Sequence, residues 1–138
     1  TVTVTVNPVN DPPVCTVAGA VTLWPPNHKM RPIAGALGAT DVDGDAVTIT
    51  VTSIFQDEPT NGLGDGDTSP DGTGVGTGTA QVRAERAGGR NGRVYHITLT
   101  ADDGNGGACS GTAQVSVPHD QSGAAAVDDG PLFDSTLP

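Results

Sequence analysis

The sequence predicts an all-β chain, an antiparallel β-sandwich of about seven short strands, and three observations predict it. Its 138 residues hold 20 Gly and 11 Pro, too many breakers for long helices. Thr and Val recur throughout, as pleated surfaces prefer. Turn signals fall at short intervals between alternating segments, and no stretch repeats at a helical period.

The elements follow in order. Thr1 to Val6 alternate Thr with Val, the pattern of a half-buried strand. Asn7 to Pro13 then carries three prolines, which remove donors and stiffen the chain. Residues 1–14 therefore read as a strand and linker from a domain junction. Residues 15–121 read as the sandwich. Its first strand is expected over Val14 to Leu23, stopped by Trp24-Pro25-Pro26, and its second over Arg31 to Ala39. Ala46 to Phe55 alternates most regularly. Asp57 to Gly78 is a long loop dense in Gly, Asp and Thr, of a length that is usually functional or disordered. Thr79 to Arg86 places Ala80, Val82 and Ala84 on one face. Arg93 to Ala101 turns Tyr95, Ile97, Leu99 and Ala101 inward and His96 outward. After the turn 102–107, Ala108 to Val117 is the last strand. From Gln121 onward alternation is lost, and residues 122–138 are expected to form a flexible tail.

Composition narrows the function. Aromatic residues make up only 3%, so the core rests on Val, Ile, Leu and Ala and calls for a staple or a metal. A net charge of -10 argues strongly against nucleic acid as a partner, because binding its phosphates requires a basic face, and disfavours docking on an anionic membrane surface. No apolar run is long enough to span a bilayer, and neither a signal peptide nor a lipidation motif is present. The chain starts at Thr rather than Met, as expected of a processed product or an excised piece. Cys15 and Cys109 would close a loop of about 94 residues, a disulfide contributing about 4–5 kcal/mol in the chain-entropy model; the alternative is two buried thiols. An extracellular setting favours the disulfide.

Of the sixteen acidic residues, only Glu58 and Glu85 are Glu; the rest are Asp, concentrated in Gly-rich turns. Asp41-Val42-Asp43-Gly44-Asp45 and Asp65-Gly66-Asp67 present closely spaced carboxylates on backbone that bends, which points to a hard cation such as calcium.

The run Thr-Val-Thr-Val-Thr-Val-Asn-Pro-Val-Asn-Asp-Pro-Pro-Val (1–14) resembles the junction between tandem cadherin-like, immunoglobulin-like repeats of large bacterial surface proteins. Asn10-Asp11-Pro12-Pro13 stands where that family has its Asn-Asp-x-Pro linker. Residues 39–48 are similar to its Asp-x-Asp-Gly-Asp turn, and residues 100–107 to its turn before the last strand. Leu23 to Met30, Asp57 to Asp71 and Val117 to Gln121 resemble segments of immunoglobulin-like modules in secreted bacterial proteins, some related to hyalin repeats. The resemblance implies an immunoglobulin-like (cadherin-like) sandwich, calcium at domain junctions, and duty as a spacer or adhesive module. The long loop after Asp57 departs from plain cadherin-like repeats.

Two candidate metal clusters follow. Asp41, Asp43 and Asp45 alternate like the first ligands of an EF-hand loop, but a strand begins at Ala46 and no closing Glu exists. Joined by Asn10, Asp11, Asp102 and Asp103, they supply enough oxygens for calcium; the alternative is an Asx-rich turn with solvated carboxylates. Asp57, Glu58, Asn61, Asp65, Asp67 and Asp71 form the second cluster, either wrapping one or two ions or remaining a mobile acidic loop.

His28 and His119 are each expected near a strand end, where structural hydrogen bonding is favoured over a shared transition metal with Asp120. Lys29 and Arg31 are expected to pair with nearby acids. Trp24 is expected in the core, with a sugar-stacking platform as the alternative. Tyr95 suits a tyrosine corner, its hydroxyl bonding back to the chain. No nucleophile elbow, Cys–His pair, phosphate loop or flanking carboxylate pair occurs. The expected function is thus a non-catalytic, calcium-binding module of a secreted or cell-surface protein, with structural or adhesive duty. Its partners would be neighbouring domains or copies of itself, with a surface or glycan ligand as a further partner. Two alternatives stand beside it: a self-assembling filament subunit that adds residues 1–6 to a neighbour's sheet, and a carbohydrate-binding module centred on Trp24.

Overall fold

A computed structural model describes residues 2–3 and 9–138. Among the described residues all regular structure is β, and no helix is present. The described residues form ten strands: β1 Val14–Val17, β2 Val21–Thr22, β3 Met30–Ile33, β4 Leu37–Thr40, β5 Thr48–Gln56, β6 Gly72–Thr73, β7 Ala80–Arg83, β8 Arg93–Asp102, β9 Ala108–Val117 and β10 Phe133–Asp134. They form a five-stranded sheet in the order β10-β5-β8-β9-β2, a three-stranded sheet β3-β7-β6 and a pair β1-β4. This arrangement is consistent with a β-sandwich.

The antiparallel β5-β8-β9 ribbon is the spine, and its alternation builds the core. Tyr95, Ile97, Leu99 and Ala101 on β8 and Ala113, Val115 and Val117 on β9 are buried, together with Ile33, Leu37, Ala80 and Val82 from the other sheets. On β5 the register shifts between Val51 and Ser53. A bulge inserts one residue and so exchanges the two faces. Val51 points inward before it, and Ile54 and Gln56 point inward after it.

The strand expected over Val14 to Leu23 is two strands in different sheets, broken at Ala18-Gly19-Ala20. Arg31 to Ala39 breaks likewise at Ala34-Gly35-Ala36, where Gly35 has φ 67°. Three small residues offer little side chain to pack, so each chain can leave one sheet for another. The breaks meet: Ala18 N donates to Ala36 O at 3.1 Å. Beyond its break, β2 runs parallel to β9, with Val21 opposite Val115. The Cys15–Cys109 disulfide, Cα to Cα 5.8 Å, ties the β1-β4 pair to β9. Gly111 allows that approach, since a Cβ there would stand 2.6 Å from Val17 Cγ2.

Two expectations of irregular structure are corrected. The loop after Asp57 contains β6 and buries Asp57, Glu58, Asp65 and Asp71. The segment 122–138, expected as a flexible tail, carries β10, which pairs with β5. Ser135 N donates to Ile54 O at 2.9 Å, and Ser135 O accepts from Asp71 N and Gly72 N. The edge of β5 exposes backbone donors and acceptors that this segment satisfies. The strand expected over Thr1 to Val6 falls mostly outside the described residues.

Candidate metal centre

The turn between β4 and β5 is organised by one carboxylate. Asp41 Oδ1 accepts from Asp43 N at 2.8 Å and Asp45 N at 3.4 Å, an Asx turn. Gly44, at φ 77°, reverses the chain so that its N–H reaches Asp41 O. One oxygen from each of Asp41, Asp43 and Asp45 then lies within 4.8 Å of the others. Asp41 Oδ2 is buried and has no hydrogen-bond partner.

The linker docks beside this group. Asp11 N donates to Asp43 Oδ2 at 2.7 Å. Asn10 Nδ2 donates to Asp103 Oδ2 at 2.7 Å and to Asn105 O at 3.3 Å. Asp103 Oδ1 accepts from Asn105 N and Gly107 N. These bonds, that of Asn10 foremost, hold the Asp103 carboxyl below its ordinary pKa. Asp103 is therefore already engaged as the anchor of the linker, while Asp102 is exposed and accepts from Gly104 N. Val9, Asn10, Asp43, Asp45 and Asn105 line an open cleft of about 460 Å³. The donors fit a hard cation: all are oxygen, three carboxylates repel one another at close range, and one buried oxygen lacks a donor.

The second expected cluster is used differently. Four acidic groups gather around Arg93, whose side chain is 0% exposed. Arg93 Nε lies 3.0 Å from Glu58 Oε2, Nη1 lies 2.8 Å from Asp71 Oδ2 and 3.5 Å from Glu85 Oε1, and Nη2 lies 3.9 Å from Asp65 Oδ2. In place of the ion expected among these carboxylates, a guanidinium occupies their centre. Asp57 stands apart, accepting from Val94 N at 2.9 Å and Asp129 N at 3.3 Å. Asn61 and Asp67 are exposed.

Acid outnumbers base in this buried layer, since only Arg83, 3.4 Å from Asp71, adds a second positive charge. Burial accordingly pushes the Asp71 carboxyl up to about 6, against the opposing pull of Arg93 and the Gln56 hydrogen bond. Burial raises Glu58 and Asp57 as well. Burial alone would depress Arg93, but Tyr95, Asp71 and Glu58 outweigh it and hold Arg93 above its ordinary value. Arg93 was legible from the strand: it shares the parity of Tyr95 and Ile97, so it must point inward.

The Tyr95 hydroxyl donates to Arg83 O at 2.8 Å, bonding back to the chain as its sequence position implied. His28 Nδ1 meets the buried Glu85 Oε2 at 2.8 Å. His119 pairs its Nε2 with Gly88 O at 2.9 Å and its Nδ1 with Asp120 at 3.2 Å. The two rings bond to opposite ends of one segment, 85–88, and not to each other. Lys29 and Arg31 make no ion pair among the described residues. Trp24, expected in the core, is 38% exposed. Among the described residues, Asp41, Asp43 and Asp45 form the one group of His, Cys, Asp or Glu side chains spaced to hold a metal. No protein-family model, curated protein or solved structure matches the chain.

Proposed function

We propose that the chain is a non-catalytic, calcium-binding, immunoglobulin-like module of a secreted or cell-surface protein, with a structural or adhesive role. The observation that carries this reading is the convergence of Asp41, Asp43 and Asp45 beside the docked Asn10–Asp11 linker, with Asp41 Oδ2 buried and unpartnered. A calcium ion there relieves carboxylate repulsion and fixes the linker against the turn. Movement between this module and whatever precedes it is thereby restrained. The Cys15–Cys109 disulfide is compatible with an oxidising, extracellular setting.

Thermal melts in calcium and in chelator test the reading. At calcium about a hundredfold above Kd, linkage adds about 2.7 kcal/mol, a rise of roughly 5–15 °C for a chain of this size. Asp43→Asn removes a ligand charge while keeping an oxygen that accepts from Asp11 N, and should abolish the calcium dependence. Identical melts of the unsubstituted chain with and without calcium would refute the proposal.

A further inference from the structure

Where β2 and β9 end side by side, Leu23 N donates to Ser116 O at 2.9 Å, and the chains diverge at Trp24 and Pro118. Residues 120–126 curl back beside the gap and border an open cleft of about 390 Å³. That volume lies within the range of small-molecule sites, roughly 300–1,000 Å³. Thr22, Trp24, Ser116, Asp120 and Gln121 contribute its sides, and Ala124 to Ala126 its far wall.

The wall is held in place from several directions. Asp120 Oδ1 accepts from Ser122 N at 2.9 Å, and Ala124 N donates to Ser122 Oγ at 3.4 Å. His119 bonds Gly88 O, and Arg86 Nε donates to His119 O at 2.9 Å. Ala126 packs on Gly92, where a Cβ would approach it to 2.8 Å, and Val127 N bonds Asn91 O. A cleft held by these bonds loses little freedom when a ligand enters.

Its chemistry is mixed in a specific way. Trp24 is the single Trp of an aromatic-poor chain; it is 38% exposed, lies outside the core and lines this cleft. An indole face suits the C–H surface of a pyranose ring. Two hydroxyls, an amide and a carboxylate provide donors and acceptors for sugar hydroxyls. No Lys or Arg lines the cleft, so an anionic sugar would go unpaired beside Asp120. Hydrogen bonds from Ser122 and His119 hold the Asp120 carboxyl down to about 2, so it stays an acceptor at any ordinary pH. A proline-rich peptide prefers a groove lined by several aromatics, and this cleft has one. We propose that the Trp24 cleft binds a neutral saccharide, one ring stacked on the indole with its hydroxyls held by Asp120 and Gln121. The site is separate from the Asp41 cluster and does not depend on calcium binding there.

The single Trp makes fluorescence a direct reporter. A neutral-glycan array identifies candidates, and the soluble disaccharides cellobiose, maltose and diacetylchitobiose serve as probes. The expected result is a saturable change in Trp24 emission with at least one saccharide, protection of Trp24 from acrylamide, and amide shifts confined to residues 22–24 and 116–126. By calorimetry, Trp24→Ala and Asp120→Ala should each weaken binding at least about tenfold. Asp120→Ala keeps the indole and stays informative should Trp24→Ala fail to fold. Array silence, affinity unchanged in Asp120→Ala, or a proline-rich peptide that shields Trp24 where saccharides do not would each overturn the proposal.

Discussion

Replacing Arg93 with Met tests the buried ion network. Met fills much of the same volume but leaves Glu58, Asp71 and Glu85 facing one another, with Arg83 beside Asp71 and His28 beside Glu85 as the remaining partners. Removing one partner of a buried ion pair typically costs about 3–5 kcal/mol, a large share of the roughly 5–15 kcal/mol that holds a domain folded. The cost should depend on pH in a set direction. Asp71 already has a folded pKa of about 6 against an ordinary 3.8. A group raised in the folded state contributes its full stability below the unfolded value and loses it as pH rises through the folded value. The unsubstituted chain should therefore gain about 1 kcal/mol between pH 7 and pH 5 from Asp71. Without Arg93 the carboxyls rise further, and each one protonated across that whole interval only in the folded state returns about 2.7 kcal/mol. Urea unfolding in chelator at both pH values measures this. The variant should be deeply destabilised at pH 7 and recover much of the deficit at pH 5. A variant as stable as the original at pH 7, or one with the same deficit at both, would refute the network as described.

Three other outcomes follow from the same structure. Cys15→Ser with Cys109→Ser should cost about 4–5 kcal/mol by the loop-entropy model, read as a lower urea midpoint; an unchanged midpoint would show that the β1-β4 pair stays attached without the bridge. Gly107→Ala places a Cβ 2.8 Å from Pro12 Cα and against the Asp103 carboxylate. It should release the linker, seen as loss of amide-exchange protection at Asn10 and Asp11, while the β8-β9 ladder stays protected. Tyr95→Phe removes the bond to the part-buried Arg83 O and the acceptor of Arg93 Nη1, leaving both without that partner, at about 1–3 kcal/mol in chemical denaturation.

Strands with strict alternation were legible in the sequence. Ala108 to Val117 matches β9 in full, and the inward set on β8 is Tyr95, Ile97, Leu99 and Ala101 as alternation requires. The Ala-Gly-Ala breaks were not legible, because both flanks alternate acceptably and only tertiary packing sends them to different sheets. β6 and β10 are two residues each, too short for any period. The carboxylates after Asp57 read either as ligands for an ion or as a mobile acidic loop, because charge counted along the loop finds no counter-ion there. Their counter-ion comes from β8, 22 positions beyond Asp71. Asp41, Asp43 and Asp45 were legible because one local turn brings them together, and Asn10 and Asp11 were placed beside them by the linker motif. Trp24 misled through composition: a chain short of aromatics was expected to bury its only indole.

Titrating the chelator-stripped, folded chain with calcium in a calorimeter tests the central claim most directly. Saturable heat that vanishes in Asp43→Asn is the outcome required of an oxygen cage at the linker turn. A flat trace from a chain whose circular dichroism shows it intact would contradict that cage and leave the turn as ordinary solvated acid.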